Sequence, residues 1–147
     1  MKTQELFENV FRLKGGYYQL PYSHITPRDR GLATFFNYII PSLARTFDIP
    51  ARNFKVNPSA WSTERMSLSV KITSSKTDIE MLELMMPKAL KGELEKTFDD
   101  VNIQSSYLMS TPGKKYPDLI IGFTSKFPKK WIDLDDLHFQ QMSRAKA

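Results

Sequence analysis

The chain has 147 residues, of which 41% are hydrophobic and 25% charged, and that ordinary globular usage excludes a disordered or low-complexity class. It contains no cysteine and only two histidines, which excludes disulfide scaffolds, thiolate zinc sites, iron–sulfur clusters and cysteine nucleophiles. The formal net charge is +5, a mild cationic surplus.

The length predicts one domain over 1–147 with a core of its own. Thr3–Leu13 reads as a short helix, with Leu6, Val10 and Leu13 on one face and Gly15-Gly16 as its stop. Glu5, Glu8 and Arg12 interrupt that stretch, so no secretory leader is expected. Tyr17–Leu20 reads as a short strand ended by Pro21.

A second helix is predicted over Arg30–Phe47, capped by Asp29. Leu32, Phe35, Phe36, Ile39, Ile40, Leu43 and Phe47 follow its 3.6-residue period. Pro41 falls on the outer stripe and predicts a kink. The weakly charged run Gly31–Ala44 is too short and too polar to span a bilayer. Phe54–Asn57 is a short strand, followed by a loop over Asn57–Glu64.

Met66–Thr73 is the clearest strand. Met66, Leu68, Val70 and Ile72 alternate with Ser67, Ser69, Lys71 and Thr73, the pattern of an antiparallel sheet with one packed and one wet face. Thr77 and Glu80 fit a capping box for a helix to about Phe98, its inward positions being Leu82, Met85, Met86, Ala89, Leu90, Leu94 and Phe98. Pro87 leaves open two shorter helices instead of one. Val101–Met109 and Asp118–Thr124 are strands joined by a turn at Pro112-Gly113. Ile132–Met142 is a terminal helix behind the acidic cluster Asp133, Asp135 and Asp136.

This order predicts an α+β fold: a small antiparallel sheet with two long helices on one face. The ferredoxin-like βαββαβ pattern, with an extra helix at each end, is the nearest match. A small α+β sheet of other connectivity remains open.

No motif for an enzyme emerges. The chain lacks a phosphate-cradling loop and a nucleophile elbow, and His24 and His138 have no companions for a metal set. Pro117-Asp118 with Lys126 falls short of a PD-(D/E)xK nuclease site, because Thr124 stands where the second acid must hold the metal. Asp118 then reads as a turn residue at the strand entry. No cofactor is expected.

Charge carries more. Residues 1–75 hold ten Lys/Arg against five Asp/Glu, while 76–147 hold eleven of each. The excess is mainly arginine, which suits bidentate phosphate contact. Cations alternate with aromatics, as a surface that neutralises phosphates and stacks bases requires. The expected phosphate contacts are Arg28, Arg30, Arg52, Arg65, Lys71, Lys114 and Lys115; the expected stacking residues are Tyr18, Tyr22 and Trp61. The amides at the start of the helix after Ser23–Arg30 are expected to help.

The reading is a non-enzymatic nucleic-acid-binding protein of the cytoplasm or nucleoid, neither secreted nor transmembrane. It contacts its ligand through loops, since the wet face of Met66–Thr73 carries no aromatic, and DNA is favoured slightly over RNA on that ground. The alternative is a protein–protein adaptor or a self-assembling homo-oligomer using Tyr22, Trp61, Trp131 or a sheet edge. An anionic membrane surface is a weaker candidate partner.

Overall fold

The computed structural model describes residues 26–62, 64–74 and 79–146. The predicted helix Thr3–Leu13, the strand Tyr17–Leu20 and the Thr77 capping position lie outside them.

Helix α1 (Pro27–Thr34) starts on Thr26, whose hydroxyl accepts from the Asp29 amide at 3.1 Å. Asp29 is therefore a first-turn residue and not the cap. Pro27 at the first helical position needs no donor and has its φ already set. α1 continues through a π-turn (Phe35–Ile39) into α2 (Ile40–Phe47). There the Ile40 amide donates to the Phe35 carbonyl, five residues back. Where the sequence predicts a kink at Pro41, the chain widens one turn just before it, which takes up the missing donor and the ring's demand for space. Asp48 ends α2 in the left-handed conformation, at φ 53°.

Two hairpins make the sheet. Strand β1 (Phe54–Trp61) pairs antiparallel with β2 (Arg65–Thr73), and β3 (Asp99–Met109) pairs antiparallel with β4 (Asp118–Lys126). β2 and β4 are also antiparallel neighbours, so the strand order is β1-β2-β4-β3. The ferredoxin-like order differs: it puts Met66–Thr73 beside the Tyr17–Leu20 strand, and β4 holds that place here. β1 is longer than expected and runs through most of the predicted loop at 57–64. Among the described strands it lies at the edge of the sheet, where proline is tolerated, and a bulge follows Pro58.

Helix α3 (Ile79–Glu95) joins the hairpins and is unbroken at Pro87. Its core stripe of Leu82, Met86, Leu90 and Leu94 spans the proline on both sides, and burial of that stripe holds the helix together. Met85, expected inward, is exposed. Helix α4 (Lys129–Lys146) begins earlier than predicted, so Asp133, Asp135 and Asp136 lie past its first turn and do not cap it.

One apolar cluster joins the sheet to the helices. Met66, Leu68, Val70, Ile72, Leu119, Ile121 and Phe123 from β2 and β4 meet Phe35, Ile39, Ile40 and Leu43 of the first helical run and the α3 stripe. Phe35 lies on Phe123 at 5.6 Å between ring centroids, and Phe98 meets Trp131 edge-on at 5.7 Å. The helices thus share one face of the sheet, and no described helix lies on the other.

Candidate nucleic-acid interface

Strand alternation and register specify what the open face carries. β2 contributes Arg65, Ser67, Ser69, Lys71 and Thr73, and β4 contributes Asp118, Ile120, Gly122, Thr124 and Lys126 in matching positions. Serine, glycine and threonine form a floor of small residues between two cationic ends. Ser105 of β3 lies over Gly122 so closely that a Cβ there would sit 2.7 Å from its hydroxyl.

At one end, Lys55 pairs in register with Lys71, Lys71 with Ile120, and Ile120 with Tyr107. Asp118 closes this end. It is 1% exposed, accepts from the Thr73 hydroxyl at 3.0 Å and from Lys114 Nζ at 3.0 and 3.2 Å, and lies 3.8 Å from Lys71 Nζ. Burial pushes its carboxyl up. The hydrogen bonds from Lys114 and Thr73, with the charges of Lys114 and Lys71, outweigh burial and hold it below the ordinary carboxylate range. The residue that resembled a strand-entry turn is therefore a clamp that sets two lysines side by side. Arg52 is exposed on the 3-10 turn Ala51–Asn53, which is tied to the same end by Asn53 Nδ2 donating to the Thr73 carbonyl at 2.9 Å. Lys115 is exposed in the β3–β4 loop, 5.4 Å from the centre of the Tyr116 ring.

At the other end, Arg65 is paired in register with Lys126 and forms an ion pair with Asp100. The Arg65 hydrogen bond and charge hold the Asp100 carboxyl below its ordinary range. Asp100 sits at φ 50°, in the bulged start of β3. Arg28 and Arg30 approach this end from the helical side, because Gly31 packs directly against Phe127 and Met66. The Arg30 Nε is buried with no hydrogen-bond partner among the described residues. The amides expected to accept a phosphate there are partly used, since Thr26 already caps Asp29.

The predicted cations therefore divide. Arg52, Lys71, Lys114 and Lys115 gather at one end of the sheet and Arg65 stands at the other, while Arg28 and Arg30 belong to α1, whose Gly31 packs on the covered face against Met66 and Phe127. Arg65 and Lys71 are six residues apart on one strand, roughly 20 Å at about 3.3 Å per residue. Of the stacking residues, Trp61 ends β1 opposite Met66, and Tyr18 and Tyr22 lie outside the described residues. Trp131, an expected exposed aromatic, is half-buried against Phe98 and Phe127.

Tyr107 was hidden in the sequence. Plain alternation from Val101 and Ile103 puts Tyr107 and Met109 on the core side. A bulge between Ile103 and Ser105 shifts the parity, so Leu108 faces the core and Tyr107, 48% exposed, joins the open face.

Among the described residues no cluster of three His, Asp or Glu side chains suits a metal ion, and no helix is long and apolar enough to cross a membrane. No protein-family model, curated protein or solved structure matches the chain.

Proposed function

We propose that this chain is a non-enzymatic protein that binds single-stranded nucleic acid on the open face of its sheet. One observation carries the reading: the cross-strand row Lys55–Lys71–Ile120–Tyr107, which sets two cations and one exposed aromatic ring on a flat strip of sheet. An unpaired base stacks on a ring while lysines neutralise the neighbouring phosphates, and small side chains between them leave room for a backbone to lie flat. Arg52, Lys114 and Lys115 extend the strip at the same end. Arg65 supplies a phosphate contact at the far end, Arg28 and Arg30 add contacts for a strand that passes over that end onto the helical side, and Tyr18, Tyr22 and Trp61 remain candidate stacking residues. Tyr107 removes the ground on which DNA was preferred to RNA, because the face now carries an aromatic. The compartment that fits such a ligand is the cytoplasm or nucleoid.

The test is fluorescence anisotropy with labelled single-stranded DNA, single-stranded RNA and duplex DNA at about 50 and 200 mM salt. The expected result is micromolar binding to a single strand, weaker on the duplex, that falls steeply with salt. Tyr107→Ala is expected to weaken it by about 5- to 150-fold, the range of one lost base stack. Absence of binding to all three at low salt would overturn the reading.

A further inference from the structure

Between its two cationic ends the open face carries two cross-strand rows of small polar side chains. In one row Ser67 of β2 pairs in register with Thr124 of β4, and Thr124 with Asn102 of β3. In the next, Asn57 of β1 pairs with Ser69, Ser69 with Gly122, and Gly122 with Ser105. Ser67 and Ser69 stand between Arg65 and Lys71 on β2, about 7 Å apart. Neither row holds a charged residue, and none of its polar side chains is buried. Hydroxyls nearer the ends are spent on the fold: Thr73 donates to Asp118, and Ser62 accepts from the Glu64 and Arg65 amides. In the rows, Ser67, Ser69, Ser105 and Thr124 make no side-chain hydrogen bond to any described residue.

We propose that this floor reads the ribose 2′-hydroxyl, so that the single strand held on the sheet is RNA in preference to DNA; the inference rests on the reading of the open face as a nucleic-acid surface. A serine or threonine hydroxyl both donates and accepts. Phosphate oxygens only accept, and the ends of the face meet them with cations. A 2′-hydroxyl donates and accepts, and so matches both capacities of the floor. Deoxyribose offers only C–H there, and a hydroxyl covered by it loses its water and gains no bond. The floor side chains are short, so they reach a ligand only where its backbone lies flat on the sheet. Gly122 leaves that room at the centre, where the Ser105 hydroxyl stands 2.7 Å from the place a Cβ would take.

The test is anisotropy with labelled strands of about 12 nucleotides made only of A and C, as RNA, as DNA and as 2′-fluoro RNA. The bases are then the same in all three, and fluorine keeps the sugar pucker of RNA but cannot donate. RNA is expected to bind tighter than either of the others, by about 2- to 12-fold for each hydroxyl engaged. The ratio is expected to be equal at about 50 and 200 mM salt, since a neutral contact releases no counterion. Ser67→Ala, Ser69→Ala and Thr124→Val combined are expected to bring the RNA-to-DNA ratio to one, whereas Tyr107→Ala weakens both polymers and leaves the ratio unchanged. The 2′-fluoro strand puts the same question to the parent, so the answer does not depend on how well the triple variant folds. RNA affinity equal to or below that of DNA would overturn the inference and leave the sheet face standing as a nucleic-acid surface. A preference for RNA that survives in a folded triple variant, or that 2′-fluoro RNA shares in full, would overturn it too. Binding to none of the three would remove both the inference and the reading beneath it.

Discussion

Asp118 shows how one side chain can be both a stabilising group and a positioning one. Its carboxylate is buried, yet it is held ionised by a hydroxyl and two lysines, and those lysines are the ones at the end of the candidate interface. Asp118→Asn keeps the shape and removes the charge. It is expected to lower stability by about 1–3 kcal/mol, discounted toward the lower end because Lys71 and Lys114 are partly exposed. The pH dependence follows from the direction of the shift. The folded-state value lies below the unfolded one near 3.9, so this contribution is fully present above that pH and is lost as pH falls through the folded value. Thermal melts between pH 7 and pH 2 are expected to show a gap between parent and variant that is constant down to about pH 5 and narrows below pH 4. A gap that stays constant to pH 2 would mean that the carboxylate charge contributes nothing. The sequence could name Asp118 but not this role, because its partners come from positions 71, 73 and 114, on another strand and in a loop.

At the scale of elements, legibility followed periodicity. β2 was readable nearly to the residue because it is unbulged and its four apolar positions alternate without interruption. α3 was readable because its stripe is long, although a stripe alone cannot tell which apolar residue is left over; Met85 and Leu84 were left over. β1 reads four residues too short, its far part holding Pro58 and a bulge; Val101–Met109 reads correctly as a strand, and the bulges of β3 hide only which of its side chains share a face, since a bulge is set by what the neighbouring strand allows, not by local composition. The two glycines in the described helices give a test at the same scale. Alanine in place of glycine favours a helix by about 1 kcal/mol. At Gly92 of α3 nothing lies within 4 Å of the added methyl group, so Gly92→Ala is expected to raise stability by up to about 1 kcal/mol. At Gly31 of α1 the added carbon would sit 2.9 Å from the buried Phe127 ring and 3.2 Å from the Met66 sulfur. There overpacking of about 1–3 kcal/mol exceeds the gain, and Gly31→Ala is expected to destabilise. Denaturant melts of the two variants check the opposite signs. Two changes of the same sign would show that the close approach of α1 to the sheet is not a determinant of its packing.

For the whole molecule, the arrangement of charge matters more than its sum. A surplus of five on 147 residues is small. Lys71 and Lys114 are partly neutralised by Asp118, and Arg65 by Asp100. What remains is a division into two ends of one sheet, roughly 20 Å apart along β2. A single strand lying along the face engages both ends at once; a ligand held by a loop engages one. Pairwise charge reversals distinguish these cases. Arg52→Glu with Lys55→Glu alters the end nearest Tyr107, and Arg65→Glu with Lys126→Glu alters the far end, where the two are paired in register on the open face. Each lost phosphate contact lowers the slope of log affinity against log salt by about 1. If the ligand spans the face, each pair is expected to lower the slope by about 2, and the four-fold variant by about 4, because the sites are too far apart to share a phosphate. If one pair removes the whole dependence and the other none, binding is confined to one end. Tyr107 tells which mode holds even then. Its replacement by alanine is expected to lower affinity equally at every salt concentration, since stacking displaces no counterion, and a change in slope at Tyr107→Ala would mean that the bound strand had shifted off the sheet.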